Sequence, residues 1–176
     1  MKKRSMAELN RLSPDAFRLS GKVPVVVVLD NVRSALNVGS AFRTADAFAV
    51  EKIILCGITA QPPHREILKT ALGATDSVTW EYVADPADAA GALRAEGYLI
   101  VGVEQAEGSV LLHQFEPAPE RRYALFFGNE VNGVSDSVLA LADACIEIPQ
   151  AGTKHSLNIA VCVGVVVWEF FSYYRF

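Results

Sequence analysis

A chain of 176 residues that is 51% hydrophobic is long enough for one domain with a substantial core, and its composition excludes an intrinsically disordered polymer. The net charge of −4 argues against a dedicated nucleic-acid binder, yet that charge is unevenly spread. Residues 1–22 hold six basic side chains (Lys2, Lys3, Arg4, Arg11, Arg18, Lys22) against two acidic ones (Glu8, Asp15), a balance of +4 that leaves −8 on the remainder. A basic N-terminal arm over 1–22 ahead of an acidic body over 23–176 is therefore expected, the asymmetry of an arm that touches phosphates; an ordinary solvated start is the competing reading. The opening "MKKRSMAELNRLSPDAF" has charges but no apolar segment behind them, so no secretory signal is expected. The longest apolar run, "IAVCVGVVVW", is about half of the roughly 20 residues that cross a bilayer. A soluble, cytoplasmic protein without membrane contact is the expectation.

Apolar β-branched runs predict strands over 23–29, 52–56, 77–83, 98–103, 123–128 and 145–148. Helical periodicity is expected near 37–49, 66–72, 86–96, 135–143 and 157–172. Strands alternating with helices predict an α/β fold: a single domain with a mostly parallel sheet and helices on both faces. The near-continuous valines of "VPVVVVL" fit a strand buried on both sides.

The first strand feeds "NVRSALNVGSAFRTADAFAV", where Gly39 stands one turn before Arg43. Glycine weakens a helix by roughly 1 kcal/mol relative to alanine, so something compensates for it. Val38, Ala41, Phe42, Ala45, Phe48 and Ala49 form a stripe able to face a core. Arg43 lies off that stripe and, by this reading, near the helix start, where backbone N–H groups favour an anion. The bland alternative is a solvated arginine and a glycine admitting a neighbouring strand.

Farther on, "PPHREILKTALGA" offers His64, Arg65 and Lys69 to phosphates, unless it is simply a solvated loop. "FFGNEVNGVSDSVL" runs from a strand into Gly128-Asn129-Glu130 and Gly133, a tight excursion ahead of a helix that Ser135 would cap. "IPQAGTKHSLNIAV" ends a strand at Ile148-Pro149 and opens the last helix near Ser156, a candidate cap, and Asn158. That helix is apolar nearly all round, so a second subunit is expected to cover the face its own sheet does not. No GxGxxG follows a strand and no GxxxxGK[ST] occurs, which disfavours an ordinary dinucleotide or ATP enzyme. Cys56, Cys145 and Cys162 sit in apolar runs without a CxxC, and His64, His113 and His155 match no zinc spacing; buried reduced thiols and no metal are expected.

In order, three segments resemble the three motifs of the SpoU family, RNA ribose 2′-O-methyltransferases of the SPOUT class. They are Asn37-Val38-Gly39-Ser40-Ala41-Phe42-Arg43-Thr44-Ala45, then Gly128-Asn129-Glu130-Val131-Asn132-Gly133, then Ile148-Pro149-Gln150-Ala151-Gly152 followed by Ser156-Leu157-Asn158. Gln150 departs from the methionine common in relatives. The resemblance implies a methyltransferase domain over 23–176 whose C-terminal segment is threaded into a trefoil knot. It implies S-adenosyl-L-methionine on loops matching those around Glu104, Gly128, Asn129, Ile148 and Leu157, and a homodimer whose sites draw on both subunits. The implied reaction is attack of a ribose 2′-hydroxyl of tRNA or rRNA on the cofactor methyl, small size alone leaning toward tRNA.

By resemblance Arg43 contacts the target nucleotide and is catalytic, Gly39 clears room for the RNA backbone, and Thr44, Arg65 and Lys69 join in holding substrate. Asn37 and Glu130 orient Arg43 and the ribose, while Ser156 and Asn158 fix the cofactor loop and substrate. The family proposal makes the arginine a general base. A guanidinium with pKa above roughly 12 is so rarely deprotonated that a phosphate clamp stabilising the developing oxyanion is the physical alternative. His155 is a further candidate proton acceptor. Competing functions are an RNA-binding member of the fold without methyl transfer, and a different α/β enzyme such as a small-molecule methyltransferase or nucleotide hydrolase.

Overall fold

The computed structural model describes residues 1–5, 8, 11–154 and 156–176; His155 lies outside the described residues. Seven strands, β1 (Val23–Asp30), β2 (Val50–Cys56), β3 (Trp80–Val83), β4 (Tyr98–Val103), β5 (Val110–Leu111), β6 (Arg122–Phe127) and β7 (Ala144–Glu147), form one sheet in the order β3-β2-β1-β6-β4-β7-β5. Every pairing is parallel. The helices are α1 (Pro14–Leu19), α2 (Ala35–Ala47), α3 (Arg65–Ala71), α4 (Ala74–Ser77), α5 (Pro86–Ala95), α6 (Asp136–Leu139) and α7 (Ile159–Arg175).

The valines of β1 explain why it is central. Val23, Val25, Val27 and Leu29 pack with α2, α3, α4 and α7 on one face, while Val26 and Val28 pack with α5 and α6 on the other. Alternation in a strand buried on both sides produces a continuous apolar run, as the sequence reading expected. Leu112 and Tyr123 join the first face beside Phe170, whose ring meets Tyr123 at 5.2 Å between centroids.

Several elements depart from the expectations. Residues 77–83 are not one strand: Ser77 closes α4 and only 80–83 pair with β2, because the Ser77 hydroxyl binds Asp46 and the Ala74 carbonyl. The helix expected over 135–143 is cut to four residues, and Asp143 instead accepts from the Ile100 amide at 2.7 Å, starting β7 beside β4. The last helix begins at Ile159 rather than 157, and its N-cap is Asn158, not Ser156; Asn158 accepts from Ala160 N–H at 2.9 Å.

The first 22 residues are not wholly a free arm. Ser13 caps α1, the Arg18 guanidinium donates to the Asp76 carbonyl, and Arg175 donates to Gly21 at 2.9 Å. Lys22 lies over the Phe17 ring, 3.1 Å from its centroid. Lys2, Lys3, Arg4 and Arg11 remain exposed. Among the described residues no helix is long and apolar enough to cross a membrane.

Gly39 has a packing role. A Cβ there would collide with the Thr70 hydroxyl and the Ile67 carbonyl, so its absence lets α2 and α3 touch; the neighbour it admits is a helix rather than a strand or RNA. Gly39→Ala is expected to lower stability by about 1–3 kcal/mol despite its better helix propensity, because the obstacle is backbone. Gly91, in α5 with open space around it, gives the opposite sign: Gly91→Ala is expected to raise stability by about 0.5–1 kcal/mol. Urea denaturation of the two variants checks the pair.

Candidate active site at the carboxyl edge of the sheet

Strand order decides what meets. Because β1, β6, β4 and β7 are consecutive neighbours, the segments leaving Asp30, Phe127, Val103 and Glu147 lie side by side beyond one edge. Parallel α/β sheets hold ligands there. The segments leaving Phe127, Val103 and Glu147 surround a cavity of about 710 Å³ lined by Glu104, Gly128, Asn129, Glu130, Ile148, Ser156, Leu157 and Asn158, all anticipated from the sequence. Its remaining lining includes Val103, Gly133, Asp136, Glu147, Gln150 and Cys162.

Three sequence-distant motifs are joined by side-chain hydrogen bonds. Asn158 Nδ2 donates to Asn37 Oδ1 at 3.3 Å, and Asn37 Nδ2 donates to Glu130 Oε1 at 3.1 Å. One carboxamide, on the first turn of α2, thus bridges the start of α7 and the tip of the loop after β6. An amide is suited to this because it donates and accepts at once.

The loop after β6 is tightly specified. Asn129 and Gly133 exchange backbone hydrogen bonds of 3.2 and 3.0 Å, and Asn129 Oδ1 accepts from Val131 and Asn132 N–H at 2.9 and 2.8 Å. Gly133 has φ +68°, and any Cβ on it would meet the Glu104 carboxylate. Glu104 uses that space: its two oxygens accept from Gln105 N–H at 2.8 Å and Val134 N–H at 3.0 Å. A Cβ on Gly128 would collide with the Gly133 and Val134 backbone.

A carboxylate that the sequence reading missed secures this corner. Asp30, with 0% exposure, ends β1 and accepts from Ser135 N–H at 2.7 Å, Ser135 Oγ at 2.9 Å and Asn31 Nδ2 at 2.8 Å. Ser135 therefore does not cap α6 with its side chain. Asn31, at φ 54°, also accepts from Ile58 N–H at 3.1 Å. An acid ending a run of buried valines was the available signal, since a buried charge needs partners.

Arg43 stands apart. It is the ninth residue of α2, two turns beyond the free N–H groups of the helix start, which corrects its expected placement there. Exposed, it lines a separate groove of about 470 Å³ with Ser40, Thr44, Ala47, Phe48, Lys69, Thr70 and Leu72. Arg43, Thr44 and Lys69 are thus together, but Arg43 does not line the motif cavity of its own chain. Arg65 is exposed at the start of α3, where the His64 ring caps the helix by accepting from Glu66 N–H at 3.3 Å.

Burial pushes the Cys56 and Cys162 thiols up to about 12, with carboxylates adding to the effect, so both are protonated and inert as nucleophiles at neutral pH. Among the described residues no cluster of three or more His, Cys, Asp or Glu could hold a metal ion.

The chain matches the model of the SpoU rRNA Methylase family over residues 24–168 and belongs to that family. It is 30% identical over 155 residues to the 23S rRNA (guanosine-2′-O-)-methyltransferase RlmB of Neisseria meningitidis serogroup B, covering 88% of this chain and 61% of that protein. The chain spans less than two thirds of the length of such relatives. Among solved structures, an AdoMet-bound rRNA methyltransferase from Sinorhizobium meliloti superposes with a TM-score of 0.79 at 32% identity, over 91% of this chain and 60% of that one. A TrmH/SpoU tRNA modifying enzyme from A. aeolicus gives 0.80 at 25% identity, over 91% and 81%. These neighbours share the α/β fold with its single all-parallel sheet.

Removing the buried carboxylate tests how the corner is held. Asp30→Ala orphans the Ser135 amide and hydroxyl, and is expected to cost about 2–4 kcal/mol of stability. Asp30→Asn, which keeps an acceptor, is expected to lose less; thermal unfolding of both checks this.

Proposed function

We propose that this protein transfers a methyl group from S-adenosylmethionine to a ribose 2′-hydroxyl of RNA. The observation that carries the proposal is the Asn158–Asn37–Glu130 chain of hydrogen bonds, which ties the first motif to two residues, Glu130 and Asn158, that line the cavity formed by the other two motifs. Family membership and the names of the relatives support the reaction class.

The cavity suits the cofactor. Its volume falls within the range of small-molecule sites, Gly128 and Gly133 bring bare backbone to its wall, and Val103, Ile148, Leu157 and Ile159 offer apolar surface for a purine. The loop residues Gly128, Asn129, Ile148 and Leu157 would hold it, with Glu104 bracing the loop rather than reaching inward, since both its oxygens accept backbone hydrogens. When bound, the cofactor supplies a methyl carbon on a positive sulfur, already a good leaving group. The chain's own residues then have two tasks, to position the hydroxyl and to manage its proton.

Asn37, with Glu130 and Asn158 as its partners, is placed to orient the sugar. Arg43 and Lys69 present two cations to the RNA backbone, with Ser40, Thr44 and Thr70 hydroxyls beside them. In this reading Arg43 clamps the phosphate and stabilises charge developing on the 2′-oxygen, and the proton leaves through phosphate or water. Its separation from the motif cavity supports a site completed by a second copy of the chain. The face of α7 available for that copy bears Val161, Val165 and Trp168, which are 51%, 39% and 47% exposed. The insertion of β7 between β4 and β5 supports a threaded C-terminal segment, and the exposed cations at the N-terminus support its use as an RNA-contacting arm ahead of the 23–176 domain.

Relatives act on either class of target, 23S rRNA in the Neisseria protein and tRNA in the A. aeolicus one. Mapping 2′-O-methyl sites in cellular RNA with and without the gene assigns this chain's target. Arg43→Ala is expected to lower methyl transfer by at least a hundredfold, the scale of losing a charge-stabilising donor, while titration calorimetry finds cofactor affinity unchanged. Near-normal turnover in that variant would remove Arg43 from the scheme. Absence of S-adenosylmethionine binding by the unaltered chain would leave an RNA-binding role without methyl transfer or a different α/β enzyme.

A further inference from the structure

Formal charge separates the two cavities. The groove beside Arg43 is lined by Arg43 and Lys69, with no carboxylate among its described lining residues. The motif cavity is lined by Glu104, Glu130, Asp136 and Glu147, with no lysine or arginine among its described lining residues. Lys154, on the loop between Ile148 and Asn158, is exposed and does not line it.

The four carboxylates are not equivalent. Glu104 is committed to the Gln105 and Val134 amides, and Glu130 to Asn37. Asp136 is exposed in the first turn of α6. Glu147, at the carboxyl end of β7, is half-buried, and its side chain makes no hydrogen bond or ion pair among the described residues. A charge so placed is less screened than one on the open surface. Its field reaches its neighbours: burial raises the Cys145 thiol most, its hydrogen bond to the Glu104 carbonyl lowers it, and the Glu104 and Glu147 charges raise it further.

We propose that Glu147 makes this cavity prefer the charged methyl donor over its spent, neutral product. The inference rests on the cavity being the S-adenosylmethionine site. The donor carries a sulfonium and an ammonium against one carboxylate. Transfer breaks the carbon–sulfur bond as the oxygen–carbon bond forms, the electron pair stays on sulfur, and the hydroxyl proton departs separately. The product, S-adenosylhomocysteine, is therefore a thioether with no net charge. It shares with the donor every group except the methyl, so cavity shape alone discriminates weakly, whereas a fixed carboxylate senses the charge difference. The same negative lining keeps polyanionic RNA in the basic groove and out of the donor cavity.

Calorimetric titration of the whole chain with S-adenosylmethionine and with S-adenosylhomocysteine tests this. The unaltered protein is expected to bind the donor more tightly, and to lose more donor than product affinity as salt rises from roughly 0.05 M to 0.5 M. Glu147→Gln is expected to weaken the donor by roughly threefold to tenfold, the effect of one partly solvated charge, while the product stays within about twofold. Glu116→Gln removes an exposed carboxylate that does not line the cavity, and is expected to change neither. An unchanged donor-to-product ratio in Glu147→Gln, or an equal loss for both ligands, overturns the inference and leaves the cofactor site standing. Failure of the unaltered chain to bind either ligand overturns the site assignment and this inference together.

Discussion

A buried carboxylate at the end of the central strand holds the candidate site to the sheet. Asp30 accepts three hydrogen bonds, two of them from Ser135, and so ties the segment following β6 to the last residue of β1. Hydrogen bonds to a carboxylate acceptor are stronger than those to a neutral one, and Asp30 is sheltered from water. Without that anchor the glycine-bearing loop after β6 would keep its internal bonds, the Glu104 brace and the Asn37–Glu130 bond at its tip. The remaining site geometry follows from strand order: β1, β6, β4 and β7 are adjacent, so four sequence-distant loops share one rim.

Chemistry is divided between two recesses, one on that rim and one along α2 and α3. The polar lining of the motif cavity is mainly backbone, amides and carboxylates, and that of the groove between α2 and α3 is hydroxyls and two cations. Under the proposed function, a group passes from a positively charged small molecule to a polyanion, which calls for both environments without letting one neutralise the other. Helix α2 touches both, with Asn37 near its start bonded to two residues of the cavity wall, Glu130 and Asn158, and Arg43 nearly two turns later in the groove. A single rigid helix can thereby fix the relation between cofactor side and substrate side.

Much of this was legible in the amino-acid string. Valines at both parities of β1 announced a strand covered twice, and the stripe from Val38 to Ala45 on α2 is buried as its spacing required. The three motif segments were recognisable and do converge. What the string hid was tertiary. Gly39 looked like an opening for a ligand, whereas it is the contact point of two helices, a fact that depends on where α3 lies. Asp30 belonged to no motif, and its partner Ser135 is 105 positions away. Ser156 and Asn158 are both good capping residues by type, and only the path of the loop made Asn158 the cap. Arg43 fell off the apolar stripe as expected, but a helix beginning at Ala35 instead of 37 put it beyond the reach of the helix dipole.

The contact between Gly128 and the Gly133–Val134 backbone has a consequence for how the cavity pays for binding. Where main chain rests on main chain, no rotamer change can relieve or deepen the fit, so that wall is rigid before any ligand arrives. Ordering entropy normally charged to complex formation has already been spent during folding, and affinity gained in this way is independent of which groups the ligand presents. Evolution could therefore retune the carboxylates and apolar side chains around that wall for a different occupant while leaving its preorganisation intact.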